Sequence, residues 1–227
     1  MRLAVAVLLF GTLLVSASAL AQDNPKVQVF GGYSLLHADS GGISGSDVDA
    51  GFGAPSGTFS TKNNFSGWNG ELQYNVSPWL GAVADVSGHY GTPVSAIAGT
   101  GLPAAPMAQS YFFLFGPVVQ HSTGSLRPFV HALFGVNRLS SDAGAATNFY
   151  GFAPVTVTDT AFAMALGGGV DWKVSKAFAV RLGQADYIYT KHDPLSYSNS
   201  LYGADFPAIT ATHQNNLRFS AGLVFSF

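Results

Sequence analysis

Seven ionisable residues fall inside apolar, alternating stretches of this sequence: Glu71, Asp85, His131, Asp171, Arg181, Asp186 and Arg218. As catalysts, a carboxylate and the histidine would activate a serine hydroxyl on the same face, forming a hydrolytic relay. As structure, the same charges would pair with one another in a closed interior, because an unpaired buried charge costs several kcal/mol. The structural use is the expected one. The reasons lie in the elements that carry these residues.

Strand-like segments with period-two alternation recur from Val27 onward. The clearest runs from Trp68 to Val76, with Trp68, Gly70, Leu72, Tyr74 and Val76 on one side and Asn69, Glu71, Gln73 and Asn75 on the other. Seven further segments begin at Val27, Leu80, Ser110, Arg127, Ala161, Ala177 and Leu217. On each, bulky apolar residues occupy one parity, and small or polar residues take the other, with 110–121 apolar on both. Tyr111, Phe113, Phe115 and Val119 are assigned outward there. In the seventh segment strict alternation separates Arg181 from Gln184 and Asp186, and a β-bulge near Gly183 would return all three to one face.

Composition narrows the solvent. Charged residues make up 10% of the chain, against about 25% in soluble domains. Residues 1–21 resemble a signal peptide: Arg2, an apolar run from Leu3 to Val15, and Ala19-Leu20-Ala21 before Gln22. The apolar run is shorter than the roughly 20 residues a membrane anchor needs. Residues 22–227 then form one domain and hold no apolar run long enough for a spanning helix. An apolar chain without such helices satisfies its backbone in lipid by closing a sheet. The expected fold is therefore all-β: a closed, antiparallel, up-and-down transmembrane barrel of about eight strands.

Connection lengths agree with this. Links beginning at His37, Gly91, Ser140 and Lys191 are each expected to run about 18 residues or more, against two to five for ordinary hairpins. The other three are tight, which suits short periplasmic turns alternating with four long external loops. Aromatic residues fall into two bands, Tyr74, Trp79, Phe129, Trp172, Phe178 and Phe227 at the periplasmic ends and Tyr33, Phe65, Tyr90, Tyr111 and Tyr189 near the outer ends. Such rings prefer the headgroup level.

The stretches Gly167-Gly168-Gly169-Val170-Asp171-Trp172 and Ala179 to Tyr187, with Val29 to Ser34 and Pro128 to Gly135, resemble small outer-membrane barrels of the outer-membrane protein A type. The terminal Leu223-Val224-Phe225-Ser226-Phe227 is similar to the signal by which such barrels are recognised for assembly. The resemblance implies residence in the bacterial outer membrane, with outer-membrane lipid and the barrel-assembly machinery as partners. Leu223, Phe225 and Phe227 would be the assembly signal. The sequence here stops at Phe227 without the family's peptidoglycan-binding domain, so a tether to the cell wall is not expected.

Other functions fit less well. With Arg2 removed, nine Lys/Arg stand against twelve Asp/Glu, no footprint for nucleic acid. Cysteine is absent. Ser46-Asp47-Val48-Asp49-Ala50-Gly51 spaces two carboxylates as calcium loops do, but lacks their further ligands. The triple glycine has neither the Lys-Ser/Thr nor the helix of a phosphate cradle. His37, His121, His192 and His213 sit in or beside loops without a Ser/acid constellation. No cofactor is expected, and the chain should be a monomer. The expected role is non-enzymatic, envelope-structural or surface-interacting through the loops. A small-solute pore and a lipid-modifying outer-membrane enzyme are the alternatives, and a soluble lipocalin-like barrel is the architectural one.

Overall fold

The computed structural model describes residues 25–39, 43–44, 58–59, 62–91, 108–142, 156–191, 198–199, 204–205 and 213–227. The expected signal peptide, the Ser46–Gly51 carboxylates and His192 lie outside the described residues.

Eight strands form a closed antiparallel barrel: β1 Val27–Asp39, β2 Lys62–Asn75, β3 Leu80–Gly91, β4 Ala108–Gln120, β5 Leu126–Asp142, β6 Thr156–Lys173, β7 Phe178–Lys191 and β8 His213–Ser226. Each strand pairs with its sequence neighbours, and β8 pairs with β1. Closure is sealed at the chain end, where Val27 and Phe227 exchange backbone hydrogen bonds of 3.2 and 2.8 Å. Two short ladders lie outside the barrel, Ile43–Ser44 with Thr58–Phe59 and Ser198–Asn199 with Ala204–Asp205.

Register fixes the shape. Following cross-strand partners from Phe30 through Glu71, Asp85, Leu114, Gly135, Ala163 and Thr190 arrives at Gln214. That is ten residues from Val224, which is Phe30's direct partner on β8. A stagger of ten over eight strands tilts each by about 40° to the barrel axis.

The outer face repeats on every strand. On β6 the outward residues run Phe162, Met164, Leu166, Gly168, Val170 and Trp172, with Leu166 61% exposed. The ten steps from Phe162 to Trp172, at about 3.3 Å each and tilted about 40°, give an uncharged belt roughly 25 Å tall. That is the height of the lipid-facing band of membrane barrels. Tyr111, Phe113, Phe115 and Val119 of β4 face outward, as alternation indicates.

Three expectations need correction. Strands reach further at the long-loop end than the apolar pattern: β2 begins at Lys62 rather than Trp68, and β5 continues to Asp142. The β3–β4 and β5–β6 connections are consequently 92–107 and 143–155, both shorter than expected. In the added residues 62–67 and 140–142 only Phe65 is apolar, so alternation fades while the ladder continues. Phe65 and Phe129 are not girdle residues, because their parity turns both into the bore, where they are 7% and 6% exposed.

Candidate functional site

The interior is the chemically dense part of the molecule. Glu71, Asp85, His131, Asp171, Arg181, Asp186 and Arg218 all point inward, and none exceeds 4% exposure. They form one connected set of ion pairs and hydrogen bonds. Parity positions them on β2, β3 and β5–β8. On β7 a register shift in the ladder to β6 leaves Leu182 and Gly183 both exposed, and this brings Arg181, Gln184 and Asp186 to one face.

Adjacent strands supply some contacts directly. Asp171 is the register partner of both Arg127 and Arg181, and Arg218 is that of Asp186. Arg181 Nε donates to Asp171 Oδ1 at 2.8 Å, and Arg218 Nε to Asp186 Oδ2 at 2.9 Å. Glu71 and Asp85 are also register partners, which sets two carboxylates side by side, a destabilising juxtaposition if left alone. Each is met by its own arginine from across the bore. Arg181 Nη1 donates to Glu71 Oε2 at 2.6 Å. Arg218 grips Asp85 in a two-pronged pair of 2.9 and 2.8 Å, the strong geometry for guanidinium and carboxylate.

Neutral amides tie the two centres together. Gln184 Nε2 donates to Glu71 Oε1 and to Asp186 Oδ2, both at 2.9 Å. Its Oε1 accepts from Arg181 Nη1. Asn69 Nδ2 donates to Asp85 Oδ2 at 2.8 Å. The Arg181 guanidinium also lies between two rings, 4.1 Å from the centroid of Phe30 and 4.3 Å from that of Phe129, cation–π contacts strengthened by desolvation.

The glycines of β6 make one of these contacts possible. His131, Gly167 and Asp186 lie in one register row across β5, β6 and β7. With no side chain between them, His131 Nε2 reaches Asp186 Oδ1 at 2.8 Å. A Cβ on Gly167 would stand 2.0 Å from that same oxygen and 2.4 Å from the Ala185 carbonyl, so glycine is required there by close approach.

Sequence reading missed Arg127, which donates to Asp171 Oδ2 at 3.3 Å, and Gln184 as the central bridge. It also passed over His89. The Ser34 hydroxyl and His89 Nε2 lie 2.9 Å apart, the first contact of a relay, but both are sealed at 0% exposure. The nearest further partner is the Ser220 hydroxyl, which donates to Ser34 Oγ at 3.0 Å, and His89 Nδ1 has no partner. The signal for Arg127 was available, since it shares parity with His131.

Toward the long-loop end an apolar cluster including Leu36, Phe65, Phe112 and Ile188 packs inside the barrel. Among the described residues, the ion-pair network and this cluster place buried side chains across the bore, as expected of eight strands.

Neither a protein-family model nor a curated protein matches the sequence. Solved structures match along most of the chain. The outer membrane protein OprG of Pseudomonas aeruginosa is 14% identical, with 89% of this chain and 96% of that one covered at a TM-score of 0.54. Ail, the attachment invasion locus protein of Yersinia pestis, is 14% identical over 89% of this chain and 99% of its own, with a TM-score of 0.50. Neisserial surface protein A is 14% identical over 88% and 97%, also at 0.50. At such identity the likeness is one of fold: this chain folds as the small eight-stranded outer-membrane barrels do.

Proposed function

We propose that this chain is an integral protein of the bacterial outer membrane that works without catalysis, as an envelope component whose external loops make its contacts. One observation carries the reading: an uncharged outer belt surrounds a bore closed by its own ion pairs. The belt suits lipid. The ion pairs that cross the bore at the level of Arg181 and Arg218 support a plug rather than a small-solute pore. The fold likeness to the attachment invasion locus protein supports a surface role for the loops.

On this reading residues 1–21 are removed on export, and the barrel is a monomer facing outer-membrane lipid. Leu223, Phe225 and Phe227, one parity of the last strand and its end, serve as the signal to the assembly machinery. The test is envelope fractionation with gel mobility before and after boiling, followed by liposome permeability to small solutes. The protein should pellet with outer membranes, shift on heating and leave liposomes tight. Recovery from the soluble periplasm would overturn the reading, and solute flux through liposomes would replace it with a pore.

A further inference from the structure

One register row crosses five strands on the outer face: Tyr33 of β1, Trp68 of β2, Gly88 of β3, Tyr111 of β4 and Arg138 of β5. The stagger makes successive partners climb toward the long-loop end, so Tyr33 lies deepest and Arg138 stands highest. Arg138 faces outward beside Thr160, which precedes Phe162, where the belt of β6 begins. That end of the belt is at headgroup level.

Gly88 turns the row into a shelf. A Cβ there would stand 2.9 Å from Trp68 Nε1 and 3.0 Å from Tyr111 Cε1, so the two rings close over its backbone. Tyr90, the next outward residue of β3, joins them. Trp68 Nε1 donates to Tyr90 Oη at 3.5 Å, the Tyr90 and Tyr111 hydroxyls lie 3.2 Å apart, and Tyr111 Oη donates to Gln109 Oε1 at 3.2 Å. A hydroxyl has one proton and two lone pairs. With the proton of Tyr111 on Gln109, Tyr90 donates to Tyr111, and each phenol oxygen keeps one lone pair. The Tyr90 and Tyr111 rings meet edge to face, their centroids 5.9 Å apart, and both stay partly exposed.

A girdle ring needs only the right depth. These rings are also fixed to one another, with spare acceptors aimed outward beside a guanidinium. Sugar hydroxyls supply donors for such acceptors, whereas phosphate oxygens do not. Ring faces are negative and attract the C–H edges of a sugar. A guanidinium matches phosphate with two parallel bonds.

We propose that this shelf binds the phosphorylated sugar headgroup of a glycolipid in the external leaflet. Tyr90 and Tyr111 accept from the sugar, and Arg138 holds its phosphate. The site rests on the outer-membrane residence proposed above.

The experiment uses the mature chain with the other two tryptophans replaced, Trp79→Phe and Trp172→Phe, refolded in non-ionic detergent. Bisphosphorylated lipid A and, separately, short-chain phosphatidylglycerol are titrated while Trp68 emission is followed. A saturable change with lipid A alone is expected. Arg138→Gln should weaken it about tenfold, equal to about 1.4 kcal/mol, and Tyr90→Phe/Tyr111→Phe should weaken it several-fold. Arg138→Gln changes an exposed side chain and serves if the double variant does not refold. Lys191→Gln removes an outward cation of β7, two strands further round, and should matter less. No response to lipid A, equal saturation by phosphatidylglycerol, equal losses in Lys191→Gln and Arg138→Gln, or unchanged affinity in Arg138→Gln would overturn the site. A chain that still pellets with outer membranes and shifts on heating would then fail this site alone. Recovery from the soluble periplasm would overturn both readings.

Discussion

β4 and β8 lie opposite each other in the ring of eight strands, and they fill the same bore by different physics. The inward residues of β4 include Phe112, Leu114 and Val118, buried apolar groups that ask only for volume. β8 presents Asn216, Arg218 and Ser220, and Arg218 is satisfied by two carboxylates and the Ser87 hydroxyl at fixed distances on β3 and β7. Apolar packing is non-directional and roughly proportional to area. A buried charge is strongly penalised unless its partners stand in place. One side of the bore should therefore tolerate substitution by size, and the other should not tolerate even small chemical changes.

The largest expected effect follows from emptying the charged side. Arg218→Ala leaves Asp85 and the Arg218-facing oxygen of Asp186 without a cation and should cost about 3–5 kcal/mol. Urea titration of refolded protein in detergent micelles, compared with wild type, measures it. A loss no greater than that of a β4 swap would erase the distinction between the two sides.

Next in size is the coupling across the bore. Glu71→Gln and Arg181→Met each break the 2.6 Å contact, and the double variant breaks it only once. The coupling should be about 1–3 kcal/mol, within the range for residues sharing one network. Strictly additive losses would mean that Asp171 and Gln184, rather than Glu71, hold Arg181.

How much of this was legible in the sequence follows the same division. Parity within a strand is one-dimensional information, so the inward placement of Glu71, Asp85 and Arg218 could be read directly. So could the need for a bulge near Gly183, because Arg181 and Asp186 otherwise fall on opposite faces. That Glu71 and Asp85 meet Arg181 and Arg218 could be read from which strands are neighbours, but which further groups share those arginines depends on the ten-residue stagger around the barrel, which no single strand encodes. Arg181 lying between Phe30 and Phe129 is hidden for that reason, and position along the chain alone puts Phe129 in the girdle. Strand ends beyond the belt were hidden for another. There the ladder is held by backbone hydrogen bonds, and the side-chain pattern no longer reports it.

The smallest effect is expected on β4 and is the sharper test of the comparison. Leu114 is 3% exposed and packs in the apolar cluster with neighbours such as Phe112 and Val118. Leu114→Met keeps the volume and adds only flexibility, so the cost should stay below about 1.5 kcal/mol. Asp186→Asn on β7 also keeps size and shape, yet it removes the charge that faces Arg218 at 2.7 Å and His131 at 2.8 Å. If packing alone decided stability in this bore, the two near-isosteric changes would cost the same. They should instead differ by more than the full cost of Leu114→Met, read as urea midpoints under one set of conditions. Equal midpoints would show that the charged side is held by shape, with its ion pairs adding nothing beyond their own desolvation.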